Sequence, residues 1–255
     1  MSKTMKEIVI KIGTGVLTRE EDGQLDGASL IHLVTAISDL IKSGNKVIIV
    51  SSGAVGAGIS ALGLSEYPND VPTRQACAAV GQTRLMHAYE NLFRSFGLSV
   101  AQLLLIADDF NKEKRVKRVH DTLGKLSEIA NIVPIINQND TVAVQEISVG
   151  DNDLLSARVA TLINADLLIL LTSVDGLFPP GGDEILSVVA DVDQVIDYAR
   201  GDSGKFSIGG MGTKLQAVKR AVDAGVTTII ANGANPERLK DIVAGQGICT
   251  RFLTK

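Results

Sequence analysis

The stretch that decides the fold runs from Asp151 to Gly176 and reads DNDLLSARVATLINADLLILLTSVDG. Asp151, Asn152 and Asp153 open a segment in which apolar residues recur at helical spacing as far as Asn164. Leu167 to Leu171, LLILL, is then an uninterrupted apolar run. It has the length of a strand buried on both faces and falls far short of the ~18–20 residues that a membrane span needs. Ser173 to Gly176 ends it with turn residues. A helix that feeds a strand buried on both sides is the repeating unit of an α/β fold.

The alternation extends along the chain. EIVIKIG from Glu7, KVIIV from Lys46, VAQLLLI from Val100, IVPIIN from Ile132, TTIIAN from Thr227 and CTRFL from Cys249 read as strands, with a short EILSVV from Glu184. Helical patterns lie between them, over Gly27–Gly44, Ala76–Gly97, Val119–Ala130, Asp153–Asn164, Val192–Gly201, Lys214–Gly225 and Asn235–Gly245. SSGAVGAG, after the second strand, reads as a glycine loop. The expected architecture is a three-layer αβα sandwich with a mainly parallel central sheet. One continuous sheet carries two lobes that meet near Ala165, about 1–164 and 165–255, with no long linker and no fixed-period repeat.

Composition narrows the function classes. The chain has 255 residues, 45% hydrophobic and 21% charged, which suits a soluble globular protein with a sizeable core. No basic-then-apolar leader precedes EIVIKIG, so a cytoplasmic location without membrane attachment is expected. A net charge of −4, no Trp and 4% aromatics argue against nucleic acid as a partner. The basic cluster Lys112–Asp121 has helical spacing with Glu113 mixed in, and reads as a solvated helix face. Cys77 and Cys249 read as incidental thiols of a reducing compartment. Glycine supplies 25 of the 255 residues, above the ~7% average, and clusters where periodic segments end. Such clusters let backbone amides approach an anion.

Ligands of open parallel sheets bind beyond the carboxyl ends of the strands. That rule lines up Lys11–Gly15, Ser51–Gly58, Asn137–Asp140 and Thr172–Gly176 along one edge. Lys11 sits inside a strand that should be buried; it either snorkels to solvent or requires an anion. INQNDTVAVQEISVGDND holds Asn137, Asn139, Asp140, Asp151, Asn152 and Asp153. A helix cap explains one aspartate but not the set. Two carboxylates 4 Å apart repel by roughly 4 kcal/mol at an effective dielectric of 20, so cations must come from elsewhere in the chain or from ligand. SIGGMGTKLQ runs glycines into a helix near Thr213, a layout that offers amides to phosphates. Lys214 in that first turn opposes the helix dipole, as a lysine facing a triphosphate would. Together these features suit phosphoryl transfer, which asks mainly for positioning and charge stabilisation. A dinucleotide fingerprint fails at Thr18, the P-loop and nucleophile-elbow patterns are absent, and His32, His87 and His120 are scattered without metal-ligand spacing.

The motifs VIKIGTGVL, IVSSGAVGAG, AAVGQTRL, PIINQNDTVA, VGDNDLLSA and GGMGTKLQAV, in this order over essentially the whole chain, resemble the glutamate 5-kinases of the amino-acid kinase superfamily. The resemblance implies the amino-acid kinase fold and transfer of the ATP γ-phosphoryl group to the side-chain carboxylate of L-glutamate, the first step toward proline. It implies that Lys11 and Lys214 stabilise the moving phosphoryl group and that Asp153 holds both lysines. Ser52, Asp140, Asp151 and Asn152 would bind glutamate. Lys11, Thr172, Ser173 and the run Ile208, Gly209, Gly210, Met211, Gly212, Thr213 and Lys214 would hold the nucleotide. Mg²⁺ would arrive with ATP, with no metal site of the protein's own. Residues 1–164 would form the glutamate side and 165–255 the nucleotide side. The resemblance further implies a homo-oligomer (dimer or tetramer), proline as feedback inhibitor, and coupling to glutamate-5-semialdehyde dehydrogenase; a proline site that overlaps the glutamate pocket and involves Glu146 is our own expectation.

Departures from the family pattern are expected to matter at the nucleotide. Ser173 stands where an acidic residue is common, LFPPGGDE replaces the usual segment after the fifth long strand, and GDSGKFSIGGMG is short. No C-terminal PUA domain is expected, the chain ending at Lys255. Two alternatives remain at this stage. One is another superfamily member, acting on N-acetylglutamate or a different acceptor; the Asp140 and Asp151 carboxylates favour a free ammonium instead. The other is an amino-acid sensor without chemistry, which would be expected to have lost Lys11, Asp153 or Lys214.

Overall fold

The computed structural model describes residues 5–19, 24–142, 151–199 and 210–254, the side chains of Asp151 and Ala199 excepted. In chain order the elements are β1 (Glu7–Ile12), α1 (Thr14–Leu17), α2 (Gly27–Lys42), β2 (Lys46–Ser51), α3 (Ala54–Ala61), α4 (Val71–Arg94) and β3 (Ser99–Leu105). They continue with α5 (Glu113–Glu128), β4 (Ile132–Gln138), α6 (Asp151–Leu162), β5 (Leu167–Thr172), β6 (Val188–Val189), α7 (Met211–Asp223), β7 (Thr227–Asn232), α8 (Leu239–Val243) and β8 (Thr250–Phe252). The strands form one sheet in the order β3-β4-β2-β1-β5-β7-β8-β6. Every pairing is parallel except that of β7 with β8. Strands that precede Ala165 occupy one half of the sheet and those that follow it the other, with β1 beside β5 at the join.

Period-two alternation along β1 builds the layers. Ile8, Ile10 and Ile12 pack with Leu33 and Ile37 of α2, Leu85 and Phe93 of α4 and Ile242 of α8. Val9 points to the other side, among Leu123 of α5, Val159 of α6 and Val218 of α7. Each fully buried aliphatic side chain of this kind stabilises the fold by about 1.5–3 kcal/mol relative to exposure. The same alternation sends Lys11 to the side of Val9, where α6 and α7 lie. The sandwich expected from the sequence is therefore present. Among the described residues no helix is long and apolar enough to cross a membrane.

Two of the long helices start on side-chain caps. Asp26 accepts from the Ala28 amide at 3.0 Å ahead of α2, and Asp70 accepts from the Thr73 amide at 2.8 Å ahead of α4. The Lys112–Asp121 basic cluster lies mainly on α5, its charges partly paired within the same face, as in Lys117 with Asp121 at 2.8 Å.

Three sequence expectations change. Residues 54–61, read as a glycine loop, form α3, because docking against α4 stabilises an alanine- and glycine-rich segment that is weak alone. Gly58 and Gly81 are where the two helices touch: a Cβ on Gly58 would overlap the Cys77 carbonyl, and one on Gly81 the Ala54 carbonyl. These glycines are helix contacts and not anion cradles. Residues 192–201, read as one helix, are instead two 3₁₀ turns, Val192–Gln194 and Ile196–Ala199, as far as described. Asp191 caps the first by accepting from the Asp193 amide at 3.1 Å, and Val192 and Val195 bury at the three-residue spacing of a 3₁₀ turn. Finally, EILSVV contributes only Val188–Val189 to the sheet.

Candidate active site

The carboxyl end of β1 lies between the ends of β2 and β5, with Ile12 in register with Ser51 on one side and Leu171 on the other. Gly13 continues the strand by donating its amide to the Leu171 carbonyl at 3.1 Å. Strand order places the second β-strand of the chain on one flank and the fifth on the other, a switch point where ligands of α/β sheets bind.

Three charged side chains converge there. Lys11 Nζ lies 2.6 Å from Asp153 Oδ1, and Lys214 Nζ lies 3.4 Å from Asp153 Oδ2. Asp153 is 1% exposed, in the first turn of α6. Lys214 stands in the first turn of α7, which packs on α6. Burial pushes the Lys11 ammonium below the ordinary lysine value; Asp153 opposes that shift, and the charge of Lys214 adds to it. Two lysines around one carboxylate leave a net positive charge in a site removed from water, where charge interactions are strong.

The α7 N-terminus adds to this field. Gly210, at the N-cap, has no side chain to cap the helix, and Thr213 Oγ1 donates back to the Gly210 carbonyl at 2.9 Å. Met211, Gly212 and Thr213 thus present first-turn amides beside Lys214, an arrangement that favours phosphate.

A neutral polar cluster adjoins the charged one. Asn152 Nδ2 donates toward the Ser51 carbonyl at 3.1 Å, Ser52 Oγ at 3.1 Å and Asn137 Oδ1 at 3.0 Å. Ser51 Oγ donates to the Ser52 carbonyl at 3.1 Å and meets the Tyr89 hydroxyl at 3.0 Å. With the Ser51 proton so committed, Tyr89 is the donor, and burial raises its phenol well above the ordinary tyrosine value. Beyond Asn137, Ala54, Gln82, Gln102, Gln138, Asn139 and Asp140 line a cavity of about 260 Å³.

The structure brings Lys11, Asp153 and Lys214 together, and Ser52 with Asn152. It sets Asp140 in the adjoining cavity. Thr172, at the end of β5, is buried; its hydroxyl accepts from the Val174 amide at 3.3 Å and its carbonyl from the Gly233 amide at 2.8 Å. Ser173 is exposed beside it. The Asp151 side chain, Ile208, Gly209 and Glu146 lie outside the described residues. Sequence reading gave no role to Gln82, Asp175 or Asn232. Asn232 Nδ2 donates to Asp175 Oδ1 at 3.1 Å, tying the loop after β5 to the end of β7. Asp175 had a usable signal, an acid in the turn that ends an apolar strand; Gln82, inside a helix pattern, had none.

Comparison with known proteins gives the family and the fold. The model of the amino acid kinase family matches residues 6–232. The chain is 43% identical over 257 residues to a glutamate 5-kinase of Clostridium acetobutylicum, covering 98% of this chain and 96% of that protein. It is 44% identical to a glutamate 5-kinase of Caldanaerobacter subterraneus subsp. tengcongensis, covering 96% of this chain and 67% of that one. Among solved structures, carbamate kinase from Giardia lamblia bound to AMP-PNP superposes with a TM-score of 0.67 at 18% identity, covering 98% of this chain and 99% of that one. UMP kinase from Ureaplasma parvum gives 0.65 at 14% identity, covering 98% and 100%. At those identities the two structures share the fold.

Proposed function

The chain belongs to the amino acid kinase family, among its glutamate 5-kinases, and we propose that it transfers the γ-phosphoryl group of ATP to the side-chain carboxylate of L-glutamate. The observation that carries this reading is the convergence of Lys11 and Lys214 on one buried carboxylate, Asp153, beside the N-terminus of α7. A glutamate carboxylate, with an ordinary pKa of about 4.3, is already ionised at neutral pH. It attacks the γ-phosphorus without a general base, the bond from that phosphorus to the bridging oxygen breaks, and ADP leaves with the electron pair. What the protein must supply is charge stabilisation and alignment.

In this reading Lys11 and Lys214 neutralise the oxygens of the moving phosphoryl group from two sides. Asp153 positions both amines. Gly210 to Thr213, with Ile208 and Gly209 ahead of them, hold the phosphates, and Thr172 and Ser173 border the nucleotide. Ser52, Asp140, Asp151 and Asn152 bind glutamate. Residues 1–164 then serve the glutamate and 165–255 the nucleotide. Mg²⁺ would be held by the nucleotide phosphates and offset their charge. Both Asp153 oxygens face lysines, and among the described residues no group of three or more His, Cys, Asp or Glu is placed to bind a metal.

An ATP-dependent hydroxamate assay with Mg²⁺ tests the reaction, because hydroxylamine traps an acyl phosphate. Signal is expected with L-glutamate, none with N-acetyl-L-glutamate or L-aspartate, and a loss on Lys214→Ala. Signal from either other acceptor alone would overturn the glutamate assignment while keeping the fold. A labile acyl-phosphate product favours coupling to glutamate-5-semialdehyde dehydrogenase in the cytoplasm, which a co-sedimentation experiment checks. Proline inhibition through a site overlapping the glutamate pocket is checked by proline titration at low and high glutamate. Sedimentation equilibrium distinguishes the proposed dimer or tetramer from a monomer.

A further inference from the structure

A chain of side-chain amides leads from the cavity wall to Asn152, and its hydrogen-bond direction is determined. The Gln138 backbone amide can only donate, so the Asn137 atom that it meets at 2.8 Å is Oδ1. Asn137 Nδ2 therefore points the other way, at 2.8 Å from Gln82, which must present Oε1. Gln82 Nε2 then donates to Gln102 Oε1 at 2.8 Å. On the inner side, Asn152 meets two acceptors, Asn137 Oδ1 and the Ser51 carbonyl, and turns Nδ2 toward both. Its Oδ1 is left facing elsewhere, buried and without a hydrogen-bond partner among the described residues. A buried acceptor without a donor is costly unless a ligand supplies one.

We infer that Gln82 is a positioning residue for the amino group of the acceptor substrate: by accepting from Asn137 it fixes the amide of Asn152 so that Oδ1 awaits an N–H donor. The inference rests on the glutamate 5-kinase reading for the identity of that donor, the substrate ammonium. Gly81 makes the contact attainable, since its missing Cβ lets α4 rest on the Ala54 carbonyl of α3 and brings the next residue, Gln82, to Asn137. Without an acceptor at position 82, Asn137 Nδ2 turns to water, and the Gln138 amide alone holds Oδ1 in place against Asn152. The Asn152 amide then keeps the Ser51 carbonyl but is held less firmly, and it turns hydrogens toward the ammonium for a larger share of the time.

Two variants of the full chain test this. Gln82→Met keeps length and helix propensity but removes the acceptor; Gln82→Glu keeps the acceptor toward Asn137, and exposed Gln102 can turn its own amide to meet it. KM for glutamate is expected to rise about tenfold in Gln82→Met, with kcat and KM for ATP within twofold, and to return to within threefold in Gln82→Glu. A KM for glutamate within twofold of the parent in Gln82→Met, or equal losses in both variants, would overturn the inference. A second readout needs no substrate: protection of the Asn152 side-chain amide hydrogens from exchange, followed by ¹⁵N NMR and identified with Asn152→Asp. Protection lost in Gln82→Met and kept in Gln82→Glu supports the relay; protection unchanged in Gln82→Met sinks it. If the parent makes no hydroxamate from glutamate, the functional reading fails, and the exchange measurement still decides the relay.

Discussion

Asn152 and Asp153 are neighbours in the first turn of α6, yet opposite kinds of partner satisfy them. Asp153 is met by charge: two lysines at 2.6 and 3.4 Å, of which the second is beyond ordinary hydrogen-bond length. Coulomb energy falls slowly with distance, so this centre tolerates a loose contact. Asn152 is met by direction. The Ser51 carbonyl sets its sense at one contact; at the other, Asn137 must turn Oδ1 toward it, a requirement that Gln82 of α4 supports from across β4. The difference assigns separate tasks. The charged centre stabilises whatever anion arrives, whereas the neutral one discriminates by shape and hydrogen-bond sense.

The largest break in this comparison comes from Asp153→Asn, which keeps shape and removes charge. Two buried lysines then repel without a counterion. A fall in kcat of about 10²–10³ is expected, the loss typical of one preorganised electrostatic group. KM for glutamate should change far less, since the neutral cluster is intact. Steady-state kinetics with each substrate varied would check it, and an equal rise in KM for glutamate would mean that the two centres are one.

A smaller effect follows from Gly81→Ala, which drives a methyl group into the Ala54 carbonyl and pries α4 from α3. Overpacking of this kind costs about 1–3 kcal/mol. In a chain of this size each kcal/mol lowers the melting midpoint by roughly 2–4 °C. Gln82 moves with α4, so KM for glutamate should rise while KM for ATP holds. Thermal unfolding and kinetics on the same preparation test both halves of the expectation.

The smallest effect is a displacement along the pH axis. The Lys11 ammonium titrates below the ordinary lysine value because it is buried. The alkaline limb of kcat/KM for ATP should therefore fall below about pH 10.4, the unperturbed value. Stability moves the opposite way. Between the lowered folded value and the unfolded one, the unfolded state binds more protons, so the contribution of Lys11 to stability rises with pH. Denaturant midpoints against pH, compared with Lys11→Met, isolate that contribution. A limb at or above 10.4 would show Asp153 outweighing burial.

The sequence made some of this visible for a definite reason. β1 and β5 are buried on both faces, so EIVIKI and LLILLT read as unbroken apolar runs, and Lys11 stands out as the one charge after Glu7 in the first of them. Lys214 was conspicuous because a cation opposes the helix dipole at that position. The partnership of Gln82 with Asn137 was not visible, for the two lie 55 positions apart and meet only because two helix backbones touch. Gly58 was misread for the same reason: glycine permits close approach of any group, and its identity does not say whether a phosphate or a carbonyl comes near. α3 was hidden because its helicity depends on α4 and not on local preference.

β1 carries one further consequence. It is hydrogen-bonded to β2 over Glu7–Ile12 and to β5 over Ile8–Ile12, and helices cover both of its faces. Partial openings that detach an edge strand such as β3 or β6 leave it untouched, so releasing β1 requires undoing the whole domain. Lys11 therefore rides on a central strand that no loss of an edge strand sets free. Its amine keeps its place for as long as the protein remains folded, however often the periphery breathes.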